Sequence, residues 1–223
     1  MVSENLPFFL PVNKSSVKLK EIFQQLFSDI QETGLIEAIA VVAGIVSVWF
    51  SKKENVLVYP VGLINTGIYV YISLKGSLPG EAAVNLYYTI MSFYGWYMWM
   101  RKDQMNRKVL HITASSSKEW LLQILFFLSF YIVIYFSLAE LKKGFFPGAI
   151  PWADALASAA AFTGMWLMTR KKVESWYWWI ITNIASVPLY FVKHYVLTSV
   201  YYLILLFMAV AGLIAWQKKL RNG

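Results

Sequence analysis

Trp120-Leu-Leu-Gln-Ile-Leu-Phe-Phe-Leu-Ser-Phe-Tyr-Ile-Val-Ile-Tyr-Phe-Ser-Leu138 is an apolar run without one charged residue, and its place in the chain decides how the rest is arranged. It is close to the ~20 residues that carry a helix across a ~30 Å hydrocarbon layer. Three more such segments precede it, Leu35 to Phe50, Val56 to Leu74 and Ala82 to Met100. Three follow it, Trp152 to Thr169, Trp176 to Val192 and Tyr195 to Gln217. The flanking triplets repeat one another. Glu37 and Asp154, Trp49 and Trp166, Gly95 and Gly212, and Trp99 and Trp216 are each 117 residues apart, while Asn65 and Asn183 are 118 apart, a slip of one residue. Three crossings reverse the direction of the chain, so copies fused directly would be inverted. The extra crossing at 120–138 restores the direction and makes the repeats parallel.

The expected fold is therefore an all-α integral membrane protein of seven transmembrane helices, two parallel three-helix repeats joined by a linking helix (3+1+3). In residues, this gives an N-terminal segment at 1–34, a first bundle at 35–100, a linker with the fourth span at 101–151, a second bundle at 152–217 and a tail at 218–223. Composition agrees. At 58% hydrophobic and 14% charged, with mean hydropathy +0.52, a chain of this length has more apolar surface than a soluble core would bury. Duplicated membrane bundles are commonly transporters that hold substrate near mid-membrane, between the repeats.

Basic residues set the expected orientation. Of the 20 Lys and Arg, 13 fall on one side: Lys52, Lys53, the five of the 101–118 loop, Arg170 to Lys172, and Lys218, Lys219 and Arg221. The positive-inside rule places that side, and the C-terminus, in the cytoplasm and the N-terminus outside. The net charge of +8 then belongs to loops at membrane ends and does not call for nucleic acid, since no aromatic-interleaved basic module is present. In the N-terminal segment, Leu19, Ile22, Phe23, Leu26, Phe27 and Ile30 form one apolar stripe, the pattern of an amphipathic helix on the outer surface. Leu6 to Val12 is broken by two prolines and lacks a basic lead, so it does not read as a signal peptide. With no Cys there are no disulfides, thiolate metal sites or cysteine nucleophiles.

Catalysis has no visible foothold. His111 and His194 lie in a loop and at a helix end, and no HExxH, GxSxG, Walker or glycine-rich phosphate motif accompanies them. No catalytic residue, metal site or cofactor is expected. Glu37, Glu81, Asp154, Glu174 and Lys193 all sit at ends of spans. Ion-coupled carriers often keep carboxylates or histidines in the membrane interior, so this inventory favours passive movement, with Na⁺ held by backbone carbonyls left open. Glu37 and Asp154 admit two readings, as gates at the outer entrance and as polar helix starts near a positive dipole end.

Neutral polar groups do reach the interior. Asn65 and Asn183 lie about nine residues into their spans, or ~13 Å at 1.5 Å per residue. Two readings fit Asn65, hydrogen-bonding glue between helices and a wall of a shared central site. Trp176, Trp179 and Asn183 stand at i, i+3 and i+7, so one helical face presents two indoles and an amide. An interfacial tryptophan belt accounts for Trp178, which points ~100° away toward lipid or a neighbouring helix, and in part for Trp176. An aromatic slot with an amide suits a flat, cationic heteroaromatic ligand. Asn85, Tyr88, Thr89 and Ser92 make a polar strip on the third span, placed to meet hydroxyls of a ligand or to pack against polar helices. Pro188 falls inside the sixth span, as a hinge or as a static kink.

Glu174-Ser-Trp-Tyr-Trp-Trp-Ile-Ile-Thr-Asn183 resembles the WxxWxxxN signature of the PnuC family of bacterial vitamin transporters. Asn85 to Trp99, ending Gly95-Trp-Tyr-Met-Trp99, resembles that family's third helix with its GWxxW ending, over a match that runs from Leu35 to Gln217. Many nicotinamide riboside carriers of the family have Gln where this chain has Asn85. The resemblance implies a fold similar to SWEET sugar transporters, substrate contacts from Trp176, Trp179 and Asn183, and facilitated diffusion with trapping by cytoplasmic phosphorylation.

The expected protein is thus a vitamin carrier of a bacterial cytoplasmic membrane, taking nicotinamide riboside, with thiamine or riboflavin as alternatives. Its expected substrate-binding residues are Trp176, Trp179, Asn183, Asn65, Asn85, Tyr88, Thr89 and Ser92. Its partners are the vitamin and the lipid bilayer, with a functional link to a kinase but no assumed contact, no nucleic acid, and a homo-oligomer left open. Two readings from other classes compete. A membrane sensor or adaptor would need an output domain, and few residues follow the last span. A membrane enzyme would need an acid, base, nucleophile or metal cluster.

Overall fold

The computed structural model describes residues 34–75, 79–144 and 149–222, with Gln24, Phe27 and Ser28. The amphipathic stripe expected at 19–30 therefore lies almost wholly outside the described residues. Seven helices follow in order: α1 (Leu35–Lys52), α2 (Val58–Lys75), α3 (Pro79–Met100), α4 (Ser117–Leu141), α5 (Pro151–Thr169), α6 (Ser175–Val192) and α7 (Val196–Asn222). Each expected span coincides with one helix to within a few residues at either end, so the protein is all-helical.

Local chemistry sets the helix ends. Ser116 caps α4 in a reciprocal box with Glu119, and Pro151 opens α5, where a missing N–H costs nothing. Three helices stop in a shared way. Glu54, Lys171 and His194 take left-handed φ of 59°, 52° and 64° just past α1, α5 and α6. At each, the next residue's N–H reaches back to a carbonyl in the last turn: Asn55 to Phe50, Lys172 to Leu167 and Tyr195 to Tyr190. Glycine usually occupies that place, because other L residues lose roughly 1 kcal/mol there. Glu54 and Lys171 offset the cost with an ion pair to one another.

Contacts between helices run α1–α2–α3–α5–α6–α7 and back to α1, closing a ring, while among the described helices the α4 backbone packs on α5 alone. Helix α4 is more exposed than α1 or α7, with Leu121, Leu125, Leu128, Ile132 and Phe136 all turned outward. Helix α5 is the reverse. Its buried Ala153, Ala155, Ala157, Ala159, Ala160 and Ala161 let neighbours approach closely, the small-residue packing that membrane helices use. By length and composition α1, α4 and α7 are apolar enough to cross a membrane, at mean hydropathies of 1.8, 2.2 and 2.2. The other four carry Thr66, Ser92, Thr182, Asn183 and Ser186 or alanine on buried faces, which lowers hydropathy without exposing polar groups to lipid.

The copies meet at the Lys- and Arg-rich end. Ser51 Oγ donates to Met168 Sδ at 3.0 Å, and the Trp99 and Trp216 rings lie 6.1 Å apart. Trp99 Nε1 donates to the Met168 carbonyl at 3.1 Å, and Trp216 Nε1 to the Ser51 carbonyl at 3.1 Å. Both direct contacts join residues 117 apart, and the two indole bonds exchange under the same offset. Residues touch their own equivalents only at a local two-fold axis, so this layer marks the axis relating the copies. The C-terminal ends of α1, α3, α5 and α7 converge there, which makes the copies run in the same direction.

Candidate functional site

Helix α6 presents Trp176, Trp179 and Asn183 on one face, and packing treats them differently. Trp176 is 1% exposed. Its ring lies where a Cβ on Gly212 would be, edge-on to Trp216 at 5.5 Å, in the layer where the copies meet. Tyr59, at the equivalent place in the first copy, sits on Gly95 in the same way and edge-on to Trp99 at 5.2 Å. Both glycines are needed for this close approach. Neither the Trp176 Nε1 nor the Tyr59 hydroxyl has a hydrogen-bond partner among the described residues.

Trp179 points elsewhere. Its ring lies over Gly164 of α5, 3.2 Å from where a Cβ would stand, with Tyr88 of α3 at 6.3 Å. Asn183, one turn on, is 3% exposed, and its amide makes no hydrogen bond to a described residue. Tyr88 also meets Phe162 edge-on at 6.0 Å, and Tyr87, Tyr201 and Tyr202 are near enough to interact with its phenol. Tyr190 stacks on Tyr202 at 5.1 Å and 9°. The interior wall is thus aromatic, with phenol hydroxyls and one amide.

Asn65 sits differently from Asn183. Its Nδ2 donates to the Ala40 carbonyl at 2.7 Å, so it ties α2 to α1, close to Gly44 and Tyr201. In the second copy the carbonyl equivalent to Ala40 is that of Ala157, and Thr182 Oγ1 reaches it at 3.5 Å. Thr182 is 117 residues from Asn65. The apparent one-residue slip is therefore corrected: the backbone register is unbroken, and Asn65-Thr66 in one copy corresponds to Thr182-Asn183 in the other. Thr66 and Thr89 hydroxyls pair at 3.0 Å, whereas Asn183 has no such partner.

Elsewhere on the α3 strip, Thr89 also donates to the Asn85 carbonyl at 2.9 Å, and Ser92 is buried. Gly164, Phe162, Tyr87, Tyr201 and Tyr202 carry no motif that marks them in the sequence. Adding 117 to Asn85 gives Tyr202, so the repeat offset itself would have found one of them.

At the basic end, Lys171 is 1% exposed and meets Glu54 at 2.7 Å, the Leu110 carbonyl at 3.0 Å and the Trp99 face at 4.7 Å. Lys219 joins Glu54 at 2.9 Å. Burial works against the Glu54 carboxylate, but hydrogen bonds and charge from Lys171 and Lys219 outweigh it and hold the group below the usual range. Burial draws the Lys171 ammonium below its own usual range, against the pull of Glu54. Of these directions the first governs the pair, since Glu54 accepts from two ammonium groups. At the opposite end Asp154 pairs with Lys193 at 2.6 Å and accepts from the Ile150 N–H at 2.7 Å. Its counterpart Glu37 makes no ion pair among the described residues, and lines a 370 Å³ cleft with Tyr71 and Lys75. That cleft and a second of 430 Å³ lie away from the Trp179 cluster, whose claim rests on its chemistry.

Residues 34–218 match the family model described as nicotinamide mononucleotide transporter. The chain belongs to that family. The nicotinamide riboside transporter PnuC of Escherichia coli (strain K12) is 26% identical over 207 residues, covering 84% of this chain and 87% of the relative. The riboflavin/roseoflavin transporter RibM of Streptomyces davaonensis is 23% identical over 184 residues, covering 81% and 84%. A crystal structure of the vitamin B3 transporter PnuC has the same fold, with a TM-score of 0.65 at 23% identity over 90% of each chain. Family membership and apolar helices together make this a multi-pass inner-membrane transport protein of the PnuC type.

Proposed function

We propose that the protein carries nicotinamide riboside across a bacterial inner membrane by facilitated diffusion, with the N-terminus outside and the C-terminus in the cytoplasm. The copies, as a 3+1+3 pair, rock about the layer of Ser51, Met168, Trp99 and Trp216, opening the interior to each side in turn. A separate cytoplasmic kinase retains the vitamin by phosphorylating it. Glu37 and Asp154 act at the outer mouth, where Asp154 is held by Lys193 and Glu37 is not. One observation carries the reading. The Asn183 residue is 3% exposed and its amide makes no hydrogen bond among the described residues, one turn from an indole and beside an aromatic wall.

An amide with no protein partner is free to bond a polar group of a bound guest, at ~0.5 to 1.5 kcal/mol net. Indole and phenol faces attract a flat cationic ring at ~0.5 to 2 kcal/mol per contact. Asn65, Asn85, Tyr88, Thr89 and Ser92 surround the same interior, and Trp176 supports Trp179 from the layer below. A second reading, riboflavin, has the support of the Streptomyces relative named for it.

Binding of nicotinamide riboside, thiamine and riboflavin to purified protein tests the substrate. The expected order places nicotinamide riboside first, and tighter binding of riboflavin would install the second reading. In liposomes, flux should equilibrate and ignore imposed proton or Na⁺ gradients. Accumulation above the outside concentration that collapses with such a gradient would refute facilitated diffusion.

A further inference from the structure

The second cleft lies at the basic end, where the turn between α5 and α6 meets the loop between α3 and α4. Arg170 and Lys53 occupy equivalent places there, Arg170 over Trp166 at 4.8 Å and Lys53 over Trp49 at 4.6 Å. Beside Arg170 the loop adds a wall. The Thr113 N–H donates to the Lys171 carbonyl at 3.2 Å, and the Val173 N–H to the Thr113 carbonyl at 3.0 Å, which fixes His111 and Val109 against the turn. The resulting cleft, 430 Å³, is lined by two sets of side chains, Arg170, Lys172 and His111, and Tyr94, Met98 and Val109.

The two sets differ in chemistry. Tyr94 and Met98 are one turn apart near the end of α3, where Phe93, Tyr97 and Met100 are also turned outward, so this wall continues the lipid-facing surface. Lys172 is already committed to Glu119 at 2.7 Å. The Arg170 guanidinium meets no carboxylate among the described residues, and it lies over the Trp166 ring on an exposed residue. A free guanidinium fork favours a phosphate held by two parallel hydrogen bonds. A basic pocket at the end of a helix bundle, with an apolar wall running into the membrane, matches a phospholipid headgroup with its chains attached.

We propose that this cleft binds the phosphate of an anionic phospholipid at Arg170, with the acyl chains lying along Tyr94 and Met98 of α3. The site is remote from the Trp179 cluster, so its occupancy does not depend on which vitamin is carried. Native mass spectrometry of the detergent-purified protein, titrated with phosphatidylglycerol, phosphatidylcholine or inorganic phosphate, tests it. Phosphatidylglycerol should be retained and phosphatidylcholine should not, and millimolar phosphate should neither bind nor displace the lipid. Arg170→Gln should weaken retention roughly fivefold, at ~1 kcal/mol per basic residue, while Lys53→Gln at the equivalent place leaves it unchanged. Arg170 is exposed, so the variant should fold, and vitamin binding by the same sample verifies that it has. Equal retention by the parent and Arg170→Gln, equal retention of the two lipids, or displacement by phosphate alone would overturn the proposal.

Discussion

At position 62 the first copy has glycine, and at the equivalent position 179 the second has tryptophan. The partners are exchanged to match. Gly62 faces Ser47, whose Oγ is 3.1 Å from where a Cβ would stand, and Trp179 faces Gly164, the equivalent of Ser47. Four residues further on, Thr66 is paired with Thr89 while Asn183 is paired with nothing described. At the basic end the copies instead agree, Tyr59 on Gly95 against Trp176 on Gly212, each ring edge-on to an indole that bonds across to the other copy. Positions that serve packing have kept the symmetry of the duplication. Two of the departures fall on one face of α6, and they leave there a large ring and an amide with no hydrogen bond among the described residues, features that packing alone does not reward.

The sharpest way to break this contrast is to remove the asparagine of each copy in turn, although the two stand one residue apart in the register. Trp179→Ala or Asn183→Leu should weaken vitamin binding tenfold or more, at 1.4 kcal/mol per decade, with the protein still monodisperse in detergent. Asn65→Leu should act on the fold, since it removes the bond to Ala40 at a cost of about 1 kcal/mol, and should leave affinity within about threefold. Calorimetric titration alongside thermal unfolding separates the two effects. Loss of binding in Asn65→Leu equal to that in Asn183→Leu would restore a symmetric site and sink the contrast.

The layer where the copies agree should respond to pH and charge, and the vitamin site should not. Lys171→Met leaves Glu54 with Lys219 alone, so the expected loss of stability is on the order of 2 kcal/mol, less than for a fully isolated buried charge. That corresponds to a melting temperature lower by about 4–8 °C. Lys219→Met, which removes the more exposed partner, should cost under about 1 kcal/mol. Because the folded Glu54 carboxyl is held below its usual range, its stabilisation is present above about pH 4.3 and is lost as pH falls through the folded value. The gap in melting temperature between the parent and Glu54→Gln should therefore be wide near pH 7 and narrow below about pH 4. A gap that stays constant with pH would show that the carboxylate charge does not hold this layer.

Much of this architecture was legible in sequence because a membrane helix must be apolar along its length, and seven such runs at a repeated spacing leave few arrangements. The register of Asn65 was not legible. Two asparagines one residue out of step look like a slipped pair, and only the bonds to Ala40 and Ala157 show that a threonine hydroxyl replaces an amide. Spacing put Trp176 and Trp179 on one face correctly, yet said nothing of Gly212, which draws Trp176 into the layer between copies. Tyr201 and Tyr202 reach the interior from the last helix, and tyrosines in a span are also what an interfacial belt looks like.

Trp178 gives the smallest expected effect and the finest test of where the site ends. It turns toward α4, where its Nε1 donates to Gln123 Oε1 at 3.1 Å and its ring lies 4.9 Å from that of Phe127. Gln123, the single amide in the charge-free run that fixes the topology, passes the network on to Ser115 at 2.7 Å, and Ser115 meets Glu174 at 2.8 Å. Trp178→Phe keeps most of the ring contact and removes the donor, leaving a buried amide oxygen unpaired, which predicts a loss of about 1 kcal/mol and a melting temperature lower by about 2–4 °C. Adding Gln123→Leu should recover part of that loss, because no polar atom of residue 123 is then left unpaired against α6. Vitamin affinity should stay within about twofold throughout, since the indole lies ~100° around the helix from Trp179. An affinity loss in Trp178→Phe as large as that in Trp179→Ala would mean that the site reaches α4, and that the linking helix takes part in binding as well as in topology.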